Sequence, residues 1–203
     1  MSSTSLKLLS LLVSTLAIVH ITTASDPDIL VDYMAPNNAT GEFFTSTSFR
    51  AALRQPPPPT FTVTKASMKE FPALLGQSVS YAALQFPPNS INPPHTHPRS
   101  AELLLLVQGT LHVGFVDTTN KLFTSTLETG DMFIFPKGLV HFQHNAANNH
   151  TAMALSAFGS ANAGTVSIPT TLFNSTIDDK VLALAFKTDV ATIQTLKKGF
   201  APK

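Results

Sequence analysis

Two segments of the chain combine histidines with a carboxylate at spacings that suit a metal ion. The first segment, NPPHTHP, carries His95 and His97 and is followed by Glu102. Side chains two residues apart in an extended segment point to the same face, so the two imidazoles can reach one point. Glu102 opens an apolar segment in which it shares a face with Leu104 and Leu106. A lone carboxylate buried there is costly unless it is paired or bound to a cation.

A second segment, GDMFIFPKGLVHFQHN, brings a third histidine from a later part of the chain. Gly130, Pro136 and Gly138 bracket a short strand and a tight turn, after which His141 points from another strand. Three imidazoles and one carboxylate form a borderline N/O ligand set that suits a divalent transition metal. The alternative is a set of hydrogen-bonded core histidines, but the fixed offset of Glu102 and the Gly–Pro–Gly frame favour a metal site.

The elements that must position these residues read as short strands between Phe61 and Pro169, separated by Gly, Pro and Asn. Many short strands at this spacing predict an all-β sandwich or barrel, with a jelly roll among the candidates. No internal repeat is visible, so a single barrel over residues 61–169 is expected. The predicted strands include Ser78–Phe86, Leu103–Gln108, Leu111–Val116, Met132–Phe135, Val140–His144 and Ala152–Phe158.

The segments on either side of the predicted barrel differ from it in amino-acid composition and in predicted structure. Residues 1–24 combine one lysine, a short apolar run and small residues suited to cleavage, which predicts a signal peptide. Residues 25–60 are rich in Asp, Asn, Ser, Thr and Pro and predict an extended N-terminal arm. Residues 170–203 predict a short helical pair, with one helix over Asp178–Phe186 and a second capped by Thr188.

Composition narrows the class of protein. Charged residues are 12% and hydrophobic residues 43% of the 203 residues, which indicates a globular chain. Basic and acidic residues number 13 and 12 and form no patch, so neither nucleic acid nor a membrane is an expected partner. The chain has no cysteine, so packing must replace disulfides in a secreted protein. Candidate glycosylation sequons lie at Asn38, Asn149 and Asn174.

The two metal-site segments resemble the paired motifs of germins and germin-like proteins, extracellular plant glycoproteins of the cupin superfamily. Those motifs run G-x5-H-x-H-x3,4-E-x6-G and G-x5-P-x-G-x2-H-x3-N. Every position is matched but one, because Asn89 stands where the opening glycine is expected. The resemblance extends over nearly the whole chain after residue 24. The matching residues are His95, His97, Glu102, Gly109, Gly130, Pro136, Gly138, His141 and Asn145.

The resemblance implies a single cupin jelly-roll β-barrel with C-terminal helices, assembled into a hexamer as a trimer of dimers. It implies Mn²⁺ bound by the three histidines and Glu102, and a location in the apoplast or cell wall. The same ligands also suit other divalent transition metals. Two departures stand out: Met34 occupies a position where germins have a disulfide cysteine, and Ala82 occupies one where oxalate oxidases have an asparagine.

Three functions follow as hypotheses. The first is dismutation of superoxide, a small anion that needs no elaborate recognition, with a role in plant defence or the wall implied by the resemblance. The second is oxalate oxidase with Asn92 as a substrate contact, which ranks lower because Ala82 offers no hydrogen-bond donor. The third is a non-catalytic, metal-stabilised protein of the apoplast, which either binds a small carboxylate ligand or serves as a reservoir.

Overall fold

The structure, a computed structural model, describes residues 26–54 and 56–200, so the predicted signal peptide lies outside the described residues. Within those ranges the chain forms ten strands and four α-helices. None of these helices has the length and apolar character needed to cross a bilayer. The elements in chain order are α1 (Phe49–Arg54), β1 (Thr62–Ala66), a 3-10 turn (Pro72–Leu74), β2 (Ser80–Phe86), β3 (Ser90–Thr96), β4 (Glu102–Gln108), β5 (Thr110–Val116), β6 (Leu122–Glu128), β7 (Met132–Phe135), β8 (Val140–Asn145), β9 (Ala152–Phe158), β10 (Val166–Ser167), α2 (Ile168–Phe173), α3 (Asp179–Phe186) and α4 (Val190–Phe200).

The described strands form two five-stranded sheets, one in the order β1-β2-β9-β4-β7 and the other β10-β3-β8-β5-β6. Their pairings are antiparallel, and inward-facing apolar side chains alternate with outward-facing ones along the central strands. The core lies between the sheets, which confirms the predicted jelly-roll barrel. Its fully buried members include Phe86, Leu104, Leu106, Leu111, Val113 and Phe135.

The predicted strands agree with the structure where inward-facing and outward-facing residues alternate along the chain. β7 and β9 have the predicted bounds, and β2, β4, β5 and β8 differ from prediction by one or two residues. The prediction did not mark β3 and β6 as strands. β3 contains Pro93 and Pro94, which disfavour a strand interior. In β6 only Leu127 is buried, so its sequence lacks the alternation that marks a half-buried strand.

The C-terminal segment contains three helices rather than the predicted pair, because α2 follows directly on β10. Asp178 caps α3, with its side chain accepting from the backbone of Lys180 at 2.8 Å. The prediction that Thr188 caps α4 is wrong: the Asp189 side chain accepts from the backbone N–H of Thr192 at 2.8 Å. Leu182, Ala183 and Ile193 form a small core of their own between these helices.

The N-terminal arm is attached to the barrel without a disulfide. It is not extended throughout, because α1 lies within it. The Asp26 carboxylate accepts from the Ser160 hydroxyl at 2.7 Å and from the backbone N–H of Ala161. The Ile29 side chain packs against Gly76, where φ is +77° and a Cβ would collide with Ile29. These contacts attach the first residues of the described arm to the barrel.

Candidate metal centre

The four predicted ligands meet at one point inside the barrel. One nitrogen or carboxylate oxygen from each residue lies within 4.8 Å of those of the others. His95, His97, Glu102 and His141 are only 2%, 6%, 2% and 1% exposed. His95 and His141 belong to β3 and β8 of one sheet, whereas Glu102 opens β4 of the other. The cluster therefore spans both sheets, and it forms only when the barrel is closed.

A local irregularity in β3 aims two of the rings at each other. Asn92 pairs with Gln143, but the register between β3 and β8 then shifts so that His95 pairs directly with His141. The shift falls at the two prolines, which cannot donate to the ladder. The ring centroids of His95 and His141 are consequently 4.1 Å apart.

Each of the three imidazoles is held by a backbone carbonyl on the side away from the centre. The Nδ1 atoms of His95, His97 and His141 lie 2.8, 2.5 and 2.8 Å from the carbonyl oxygens of Pro93, Gly164 and Leu139. A carbonyl only accepts, so each Nδ1 carries the hydrogen. In the neutral ring, Nε2 then presents a lone pair to the centre, which is the arrangement that metal-binding histidines use.

The carboxylate of Glu102 faces two of these nitrogens through one oxygen. Its Oε2 lies 2.9 Å from Nε2 of His97 and 3.1 Å from Nε2 of His141. Burial alone would raise the pKa of Glu102, but its contacts with His141 and His97 lower that pKa below the usual range. Burial, and then repulsion from His141, lowers the pKa of His95 to about 4, so this ring is neutral at pH 7.

This donor chemistry fits a divalent cation. With Nδ1 already donating, a ring that also donated from Nε2 would have to be a buried imidazolium. A metal ion instead satisfies the Glu102 carboxylate and all three neutral rings at once. Aromatic rings close the site on two sides: Phe135 stacks on His141 at 4.5 Å, and Phe158 meets His97 edge-on at 4.9 Å.

Two supporting residues were missed in the sequence. The Ser156 hydroxyl donates to Oε1 of Glu102 at 2.6 Å, and the Gln143 amide donates to the same oxygen at 3.3 Å. A signal existed for each. Gln143 lies two residues after His141 on the same strand face, and Ser156 is the polar residue among the inward-facing residues of β9.

The remaining motif residues shape turns and do not ligate. Asn89, which replaces the opening glycine, adopts φ +54°, a left-handed conformation that asparagine tolerates better than most residues. Gly138 also has positive φ, and its N–H donates to the carbonyl of His97 at 3.1 Å. Asn145 donates to the carbonyls of Phe86, Pro87 and His150 at 2.8 to 3.1 Å.

A cavity of about 260 Å³ connects three of the cluster residues with the surface. Val63, Ala82 and Leu84 contribute apolar walls, and the exposed Lys65 and Lys69 also line it. Asn92 lines the same cavity, and its amide donates to Oε1 of Gln143 at 2.7 Å while lying 3.5 Å from Nε2 of His95. Glu70 and Asn162 lie on the lining as well.

The fold and site together define the class of protein. The family described as Cupin matches residues 51–194, which is most of the chain. The Germin-like protein 9-3 of Oryza sativa subsp. japonica is 60% identical over 210 residues and covers 98% of both chains. Germin-like protein subfamily 2 member 1 of Arabidopsis thaliana is 39% identical over 221 residues and covers 100% of both. The chain therefore belongs to the germin-like proteins of the cupin family.

A solved relative extends the comparison to three dimensions. A recombinant oxalate oxidase in complex with glycolate is 32% identical, with a TM-score of 0.79, over 87% of this chain and 98% of that chain. The predicted fold class and family are thus confirmed.

Proposed function

We propose that the protein is a secreted, manganese-binding germin-like cupin that dismutes superoxide. One superoxide is oxidised to O₂ while a second, with two protons, is reduced to H₂O₂. The observation that supports this most is the ligand set, in which three imidazoles and one carboxylate converge on a single buried point. With a divalent ion, this set has a formal charge of about +1, which attracts a small anion.

The protein's own residues deliver and hold that anion. Manganese, when bound, supplies one-electron redox chemistry. Lys65 and Lys69 lie on the cavity lining and attract anions from solution. The Asn92 amide uses one N–H for Gln143, and its nitrogen lies 3.5 Å from Nε2 of His95. When that imidazole nitrogen binds a metal, the second N–H of Asn92 can donate to an anion beside it. Protons reach the site from solvent through the same cavity.

Secretion, glycosylation and assembly belong to the same proposal. The candidate sites Asn38, Asn149 and Asn174 are all exposed, as glycan attachment requires. Residues 1–24 supply the secretory signal, and we place the protein in the apoplast or cell wall. Apolar side chains on α3 are exposed, including Leu184 at 81%, and a homo-oligomer, a trimer of dimers, would cover them.

The test compares dismutation of superoxide per bound manganese in the protein and in an equal concentration of free Mn²⁺. His141→Ala removes a ligand and should abolish both manganese binding and activity. His144→Ala is the matched control, because His144 lies on the same strand with its side chain on the opposite face. Manganese-loaded protein that is no faster than free Mn²⁺ would eliminate the dismutase and favour a non-catalytic binding or reservoir protein.

Oxalate oxidase is the second candidate, supported by the likeness to a solved oxalate oxidase and by the position of Asn92. Ala82 argues against it, because it lines the cavity with a methyl group where those oxidases are expected to have an amide donor. Release of H₂O₂ from oxalate by the purified protein would reverse this ranking. An Ala82→Asn variant that gains this activity would identify the missing donor as its cause.

A further inference from the structure

Ser156 is the polar residue on the inward face of β9, which is otherwise apolar. Its neighbours on the inward face of the strand are Ala154 and Phe158, and Ser156 itself is fully buried. Its Cα pairs with Ala82 on one side and with Leu104 on the other, so it lies at the centre of the sheet. A hydroxyl at such a position is costly unless it is hydrogen-bonded.

The partner of that hydroxyl is the oxygen of Glu102 that faces away from the histidines. Ser156 Oγ lies 2.6 Å from Oε1, and a carboxylate can only accept, so the serine donates. Gln143 donates to the same oxygen at 3.3 Å. The Gln143 amide is itself oriented by Asn92, which donates to its Oε1 at 2.7 Å. Two donors from two different strands therefore engage Oε1.

The other oxygen of Glu102 has a different environment. Oε2 lies 2.9 and 3.1 Å from the Nε2 atoms of His97 and His141, which are the nitrogens that point to the centre. Carboxylates bind cations through either one oxygen or both. The surroundings of Glu102 distinguish its two oxygens sharply: one is held by a hydroxyl and an amide, and the other is directed at the metal position.

We propose that Ser156 is a positioning residue that restricts Glu102 to one-oxygen coordination and so keeps two coordination positions open. This inference rests on the proposed metal site. Four protein atoms leave two of the six positions of an octahedral ion free. If Oε1 turned to the ion as well, only one position would remain for water or a substrate. The hydrogen bond from Ser156 to Oε1 opposes this rotation of the carboxylate. If Oε1 moved to the ion, the buried Ser156 hydroxyl would lose its acceptor.

The test measures the coordination directly, through the relaxation of water protons by the manganese-loaded protein. Ser156→Ala should lower this relaxivity by roughly half, because one of two exchangeable waters is lost. The Mn²⁺ paramagnetic resonance spectrum should change with it. Ser80→Ala is the matched control, since Ser80 is also buried but donates to the backbone of Ser160 at 2.6 Å.

A second pair of variants separates the hydroxyl from its effect on packing. Ser156→Thr and Ser156→Val are nearly equal in shape, but only threonine can donate to Glu102. Threonine should restore the relaxivity and spectrum of the unchanged protein, whereas valine should not. Equal behaviour of these two variants, or wild-type relaxivity in manganese-loaded Ser156→Ala, would overturn the inference. Absence of dismutase activity would leave this comparison intact, since relaxivity reports coordination and not turnover.

Discussion

His95 is the ligand whose protonation most directly opposes metal binding and folding at low pH. Its pKa is lowered from 6.5 to about 4, first by burial and then by repulsion from His141. Between these two values the unfolded chain binds a proton that the folded protein does not, so acidification destabilises the fold. A shift of this size corresponds to about 3 kcal/mol, since one unit is about 1.4 kcal/mol.

We therefore expect the metal-free protein to lose about 3 kcal/mol of unfolding free energy as the pH falls from 6.5 to 4. The pKa of Glu102 in the folded protein lies below the usual range. Glu102 therefore adds a further loss of unfolding free energy once the pH falls below the pKa of this group in the unfolded chain. Urea denaturation at several pH values measures the effect. His95→Gln removes the titrating ring and should flatten the curve above pH 4.5. An equal slope in the two proteins would contradict the assignment.

At the residue scale the sequence pointed to the four residues that cluster inside the barrel, but not to the groups that hold their side chains in place. His95, His97, Glu102 and His141 were predictable because their offsets along the chain recur as a motif. The carbonyl partners of the rings were not, since the carbonyl of Gly164 approaches His97 only after the chain has folded back across the barrel. Ser156 stands out locally as a polar residue on the inward face of β9, but its contact with Glu102 depends on strand register, which no local pattern specifies.

At the scale of elements, Asn145 links β8 by hydrogen bonds to the end of β2 with the turn that follows it, and to the β8–β9 loop. Its amide donates to carbonyls at the end of β2, in the β2–β3 turn and in the β8–β9 loop, and its oxygen accepts from the backbone N–H of Ala147 at 3.1 Å. Asn145 is 1% exposed, and Phe86 and Pro87 are buried as well, so water does not readily replace the amide at these two carbonyls. The motif asparagine is therefore a connection between strands that keeps β3 and β8 in place beside the metal cluster.

Asn145→Ala should lower the unfolding free energy by about 3 kcal/mol, because several buried backbone groups lose their partner. Asn148→Ala is the control, since Asn148 is exposed in the neighbouring loop. Thermal and urea unfolding of the metal-free proteins would compare the two. A loss in Asn145→Ala no greater than that in the control would show that the side chain does not connect these segments.

Element boundaries show where local sequence signals are sufficient. β7 and β9 alternate between inward and outward residues and were predicted with their observed bounds. The α4 cap was misplaced by one residue, because Thr188 and Asp189 both suit a cap and only the geometry chooses between them. β3 was missed as a strand because its prolines, which produce the shift that aims His95, break the pattern.

At the scale of the whole molecule, the lysines on the cavity lining are expected to steer anions. Lys65→Met should lower the dismutation rate severalfold at low ionic strength, and the difference should shrink as salt screens the charge. Lys180→Met removes the same charge from α3, away from the cavity, and should change the rate little. Rates measured over a series of salt concentrations provide the test. Equal salt dependence in both variants would exclude steering by Lys65.

Exposed apolar residues on α3 predict that the protein assembles. Leu184 and Val181 are 81% and 57% exposed. Large apolar side chains exposed next to each other on one helix are typical of a surface that another protein chain covers. Leu184→Glu should therefore shift the sedimenting species to a smaller one without loss of bound metal. Asn148→Glu places the same charge on an exposed loop and should leave the assembly unchanged. Sedimentation of the unchanged protein as a monomer would contradict this expectation.

The measurement closest to the central claim is the metal content of the purified protein. Mass spectrometry of the metals should find one manganese ion per chain, because the cluster offers four ligand atoms around a single point. The same measurement on a protein carrying both His95→Ala and His97→Ala should find none. If the unchanged chain bound no metal, or if the double variant bound as much, the buried histidines and Glu102 would not be a metal site.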